Sequence, residues 1–153
     1  MRIGELCTRE VVYCERTTGV VELAQLMRRH HVGDLVVVDR RNGKLLPVGI
    51  VTDRDLTVEV IAQRLDPDSL TAGDLMRRGL VTAKEDEQVH DAIERMRARG
   101  VRRLPVVDEQ GALIGVLSVD DVTELLAEEL TETTRIGPYG VALEKEELTR
   151  PRT

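Results

Sequence analysis

The chain repeats itself, and that repeat limits the folds open to it. At an offset of 69 residues the first half falls on the second: Gly4 on Gly73, Leu6 on Leu75, Val12 on Val81, Val20 on Val89 and Met27 on Met96. The match continues through Arg28, Val32, Leu35, Val37, Val38 and Asp39, which fall on Arg97, Val101, Leu104, Val106, Val107 and Asp108. Three extra residues enter the first copy in the Arg40 to Pro47 turn, and the offset becomes 66 for Gly49, Asp55 and Thr57 against Gly115, Asp121 and Thr123. A duplicated fold tolerates such an insertion, because loop-closure entropy grows slowly with length.

Both copies carry one pattern. Val20, Leu23, Ala24 and Met27 recur at helical spacing, as do Val89, Ala92, Ile93 and Met96. A short apolar run follows, Leu35 to Val38 or Leu104 to Val107, then a turn at Asn42-Gly43 or Gln110-Gly111. A second apolar run, Val48 to Val51 or Leu113 to Leu117, leads into a last helix. Its apolar faces are Leu56, Val60 and Ile61, or Val122, Leu125 and Leu126. With a first strand near Val11-Val12 or Leu80-Val81, each half reads β-α-β-β-α. A short helical lead-in precedes it, at Ile3 to Cys7 or Ala72 to Met76. The expected class is α+β, two such repeats packed as a pseudo-two-fold pair. The apolar runs are continuous, which predicts strands covered on both faces. A half of roughly 60 residues has little core alone, so packing sheet to sheet is favoured. The expected divisions are 1–66, 67–130 and a tail at 131–153, with Asp66-Pro67-Asp68-Ser69 as the linking turn.

Composition excludes several functions. The net charge is −6 and no basic footprint runs through the chain, which speaks against nucleic acid. Tyr13 and Tyr139 are its only aromatic residues, too few for base-stacking platforms. No apolar run approaches the ~20 residues that cross a bilayer, so no membrane partner is expected. The start, Met1 to Glu5, lacks the apolar stretch of a signal peptide, and there are only two cysteines; a cytoplasmic location is expected. No nucleophile with its base, no Gly-rich phosphate loop and no zinc spacing occurs, so the chain reads as no enzyme.

Where the last strand of each copy enters the last helix, one constellation recurs. It is Gly49-Ile50-Val51-Thr52-Asp53-Arg54-Asp55 and Gly115-Val116-Leu117-Ser118-Val119-Asp120-Asp121. A hydroxyl at the N-cap with an acid three residues on is close to a capping box, which accounts for both copies with no ligand. The same atoms can also serve a ligand. Helix-start amides favour an anion, the hydroxyl can donate to a phosphate, and the carboxylate can accept from both hydroxyls of a ribose. The two readings stand side by side at this point.

The repeat, the Leu-Val-Val-Val-Asp and Leu-Pro-Val-Val-Asp runs and the paired corners resemble the CBS domain family over roughly residues 1 to 130. Val51 to Leu56 and the linker Leu65 to Leu75 look like the small bacterial stand-alone pairs of that family. The resemblance implies two pseudo-symmetric clefts between the halves, holding AMP, ADP, ATP or S-adenosylmethionine. It implies ribose or phosphate roles for Thr52, Asp55, Ser118 and Asp121. It places Arg102 and Arg103 toward phosphate, where Asp34 stands in the first copy, so unequal sites are expected. It also implies a flat homodimer formed through the helices and signalling to an unidentified effector protein.

Other residues read as follows. Arg102 and Arg103 can equally solvate a helix-to-strand turn. Val11, Val12, Leu80 and Val81 are candidates to sandwich a base, with plain core as the alternative. His30 and His31 suit the negative end of their helix. Cys7, replaced by Met76 in the other copy, reads as a buried apolar side chain. Gly137-Pro138-Tyr139-Gly140 reads as a helix breaker, with one short helix at Val141 to Leu148 inside an otherwise frayed or partner-contacting tail. The competing function is a structural or interaction pair with empty clefts.

Overall fold

In the computed structural model, which describes residues 1–149, each copy has a helical lead-in followed by the expected β-α-β-β-α order. The first contains α1 (Ile3–Leu6), β1 (Tyr13–Glu15), α2 (Val20–His30), β2 (Asp34–Arg41), β3 (Lys44–Thr52) and α3 (Asp53–Asp55). α3 runs on as a π-helical segment over Leu56–Ile61. The second contains α4 (Ala72–Leu75), β4 (Ala83–Lys84), α5 (Val89–Arg99), β5 (Arg103–Val107), β6 (Leu113–Ser118) and α6 (Val119–Thr134), and α7 (Ile136–Thr149) follows. The two sheets have the orders β1-β2-β3 and β4-β5-β6. In each, the first pair is parallel and the second antiparallel.

The continuous apolar runs form the middle strands, and they are covered on both faces. Leu35 to Val38 and Leu104 to Val107 are all buried. The helical spacing does the rest: α2 lays Val20, Leu23 and Met27 on one core, and α5 lays Val89, Ala92 and Met96 on the other. Both helices end in a left-handed residue, His31 at φ 54° and Gly100 at φ 63°. The insertion after Arg40 lengthens the hairpin and keeps the expected turn at Asn42-Gly43. β2 and β3 extend through it to a two-residue turn, Asn42-Gly43, whose φ values of 51° and 75° match the twist of a hairpin.

The lead-in helices change places. Ile3 and Cys7 of the first copy lie in the core of the second, with Ala83, Met96, Leu104 and Leu117. Ala72 of the second lies in the core of the first, with Cys14, Leu23, Leu35 and Val51. Backbone bonds repeat the exchange: Ile3 and Gly4 N–H donate to Glu87 and Glu85 carbonyls at 2.9 Å each, while Ala72 and Gly73 N–H donate to Thr18 and Arg16 carbonyls at 2.8 and 2.9 Å. Each crossing depends on one glycine. A Cβ on Gly49 would stand 2.8 Å from Met76 Sδ and 2.9 Å from Met76 Cβ; one on Gly115 would stand 2.8 Å from Cys7 Sγ and 3.0 Å from the Thr8 carbonyl oxygen. Gly49→Ala and Gly115→Ala are therefore each expected to destabilise the chain by about 1–3 kcal/mol in denaturant unfolding. Unchanged midpoints would mean that the helix–strand contact relaxes freely.

Two expectations are corrected. Ile61 and Leu126 do not face the core: they are 71% and 52% exposed, and of the apolar residues on those helices only Leu56, Val60 and Val122 are buried. Leu130, further along α6, is also exposed, at 67%. The expected helix breaker also fails to break. α7 begins at Ile136, so Pro138 lies in a first turn, where amides have no intrahelical partner to lose, and the interruption falls at Arg135. The expected tail is thus helical as far as it is described; residues 150–153 lie outside the described residues. No described helix is long and apolar enough to cross a membrane.

Candidate functional site

The two strand-to-helix corners are capping boxes. Asp55 N–H donates to Thr52 Oγ1 at 3.1 Å, and Thr52 N–H donates to Asp55 Oδ2 at 2.9 Å. Asp121 N–H donates to Ser118 Oγ at 3.1 Å, and Ser118 N–H donates to Asp121 Oδ2 at 2.7 Å. The corners differ in one proton: the Ser118 hydroxyl donates to Asp121 Oδ2 at 2.6 Å, spending on its own helix the hydrogen that a ligand would need. The hydrogen bonds found for Thr52 use its Oγ1 only as an acceptor, which leaves its hydroxyl proton for a guest.

The surroundings differ more. After α1, Thr8 runs along the outer edge of β6: its N–H donates to the Val116 carbonyl at 3.0 Å, and its carbonyl accepts the return bond from Val116 N–H at 2.9 Å. The pseudo-equivalent pair, Arg77 with Ile50, forms no such bridge among the described residues. Past Met76 the chain leaves β3 unbridged, and a cleft of about 530 Å3 opens between the halves. Ile50 and residues 52–55 form one wall, residues 77–81 another, and Gly100 to Arg103 with Asp120 close it from the second half. That volume falls within the range of small-molecule sites.

This cleft gathers Thr52, Asp55, Val81, Arg102 and Arg103. It does not include Ser118, Asp121 or Val12, and Val12 instead packs against the first core. It adds Arg54, Arg77 and Arg78, which the sequence reading passed over. Their signal was faint, since the repeat sets Arg77 opposite Thr8 and so shows no matching cation in the other copy.

Three ion pairs lie within the cleft. Asp55 is buried, and its Oδ1 lies 3.7 Å from an Arg77 guanidinium that is 83% exposed. Arg102 lies 3.8 Å from Asp120 at the rim. Arg103 Nε lies 2.8 Å from Asp34 Oδ1, a tight pair between the first residues of β2 and β5. Burial pushes the Asp34 carboxyl above the usual carboxylate range; Arg103 opposes that and the neighbouring Asp53 adds to it. Asp34 is thus paired with a cation from the other half of the chain.

The remaining candidates lie elsewhere. His30 and His31 are exposed at the end of α2. Cys7 and Cys14 are buried, and burial raises both thiols, Cys14 to about 12, so neither supplies a thiolate near neutral pH. No group of three or more His, Cys, Asp or Glu among the described residues is arranged to hold a metal ion.

A family model for the CBS domain matches residues 3–62 and again 72–128. An uncharacterised protein of Methanopyrus kandleri is 36% identical over 146 residues, 95% of this chain and 67% of its own. A CBS domain protein of Pyrobaculum aerophilum, solved in complex with AMP, is 36% identical, with a TM-score of 0.71 over 79% of this chain and 89% of that one. The CBS domain pair of protein MJ0100, solved with 5′-methylthioadenosine and S-adenosyl-L-methionine, is 26% identical, with a TM-score of 0.72 over 84% of this chain and 98% of that one.

Proposed function

Since the chain belongs to the CBS domain family, as a tandem pair, we propose that it is a regulatory module binding one adenine nucleotide, of the AMP, ADP or ATP class, in the open cleft beside Thr52 and Asp55. S-adenosylmethionine is the alternative ligand. One observation carries this reading: of two matching corners, the one with a free hydroxyl proton faces a cleft walled by aliphatic side chains and rimmed by arginines. Asp55 Oδ1 has no closer partner than Arg77 at 3.7 Å, so it can accept from a ribose hydroxyl. Ile50 and Val81 offer the apolar walls that a purine needs in a chain so poor in aromatics. Arg77, Arg78 and Arg102 supply guanidinium forks to a phosphate.

The neighbours solved with AMP and with S-adenosyl-L-methionine support the adenosine part of this reading. In this reading the output passes to another protein, and a ligand shifts it only through its different affinity for two states of this chain. In this reading two copies pair as a homodimer through the helices, where Ile61 on the first copy's last helix and Leu126 and Leu130 on α6 are exposed apolar side chains.

Calorimetric titration with AMP, ADP, ATP and S-adenosylmethionine tests the reading. One of them is expected to bind at one molecule per chain. At a hundredfold excess over Kd it is expected to stabilise the fold by about 2.7 kcal/mol. Two molecules per chain would show that the Ser118 corner also binds. No binding at all would leave the second reading, an interaction module with empty clefts, which the capping geometry at both corners favours.

A further inference from the structure

The cleft contains a pairing that its function, as proposed above, does not require. Asp34 and Arg103 occupy equivalent places in the two copies, each opening the middle strand of its sheet. In register, Asp34 sits opposite Thr52 on β3, and Arg103 sits opposite Ser118 on β6. Both line the cleft. The Asp34 side chain is only 12% exposed, whereas Arg103 is 38% exposed. The rim arginines are looser: Arg77 and Arg102 are 83% and 78% exposed, and their acidic partners stand at 3.7 and 3.8 Å. The best-held cation of the cleft is therefore already occupied, by a carboxylate from the opposite half.

We propose that Asp34 is a specificity-determining residue, an internal stand-in for a ligand phosphate that holds Arg103 and makes the cleft discriminate against each added negative charge on an adenosine ligand. A phosphate approaching Arg103 meets the Asp34 carboxylate at the same guanidinium. It must displace that carboxylate or share the cation with it, and a like charge at such range is costly wherever water is partly excluded. Asp53, whose Oδ2 would lie 3.1 Å from a Cβ on Gly33, adds a second negative group on the same side. Adenosine and a cationic sulfonium such as S-adenosylmethionine escape this cost; AMP bears it, and ATP bears more of it unless its outer phosphates reach the rim arginines.

The inference rests on adenosine ligands binding in this cleft, and the test separates the two. Dissociation constants for adenosine, AMP and ATP are measured by calorimetry on the full chain and on Asp34→Asn, which keeps the shape and removes the charge. The ratio of the adenosine to the AMP constant is expected to rise about tenfold in the variant, and the ATP ratio by at least as much. Asp34→Ala, which removes the carboxylate altogether, must move the ratio in the same direction. Binding with an unchanged or lowered ratio in both variants overturns the role of Asp34 and leaves the site standing. No adenosine ligand binding to any of the three proteins overturns both.

Discussion

Replacing Ile3 by alanine is expected to unfold the second half of the chain at a cost of about 2–5 kcal/mol, although the residue belongs to the first repeat. Ile3 is fully buried, among Ala83, Val89, Ala92, Met96, Leu104, Val106 and Leu117. Truncation there leaves a cavity that strands on both sides cannot collapse to fill. The backbone adds to the coupling, since the Met1 carbonyl accepts from Val89 N–H at 3.2 Å and Ile3 N–H donates to the Glu87 carbonyl at 2.9 Å. Ile3→Val, with one methylene fewer, is expected to cost about 0.5–1.5 kcal/mol, so the series grades with volume. Denaturant unfolding measures the totals, and hydrogen exchange locates them: amides of β5 and β6 are expected to lose protection before those of β2 and β3. Loss of protection first in β2 and β3 would mean that the lead-in belongs to its own half.

Asp55→Ala is expected to weaken nucleotide binding about a hundredfold, or ~2.7 kcal/mol, by removing the charge-assisted acceptor for the ribose. The same change deletes a cap that accepts from Thr52 N–H, at a cost of about 1 kcal/mol in stability. Asp121→Ala supplies the contrast. It deletes the matching cap, accepted from Ser118 N–H, and is expected to cost about as much stability while changing affinity less than twofold. Calorimetry gives the affinities and thermal melting gives the stabilities, both on the same samples. Equal losses of affinity in the two variants would show the corners to be equivalent.

Much of this architecture is legible in the residues. The offset of Gly4 to Gly73 and its sequel announce a duplicated unit, because a matched pattern of helix faces and apolar runs fits only one order of elements. Thr52-Asp55 and Ser118-Asp121 announce two helix starts, because a hydroxyl with an acid one turn on can satisfy two orphan amides reciprocally. What failed was outward geometry. Ile61 and Leu126 read as core because helical spacing marks an apolar face but not whether a neighbour covers it. Gly137-Pro138 read as a break because proline's cost depends on its place in a helix, which the sequence does not number.

The sequence by itself determined the unit, its duplication and the chemistry stored at each corner; these depend on neighbours within one turn or one strand, where periodicity is visible. Only the tertiary structure decided that the lead-in helices trade cores, that the edge of β3 at Ile50 stays open while Thr8 seals β6, and that Asp34 holds Arg103. In a duplicated chain a segment finds nearly the same apolar partners in either copy. Which one it takes, and which equivalent residues meet across the axis between them, is settled by packing over distances of some seventy residues, where no local pattern leaves a mark.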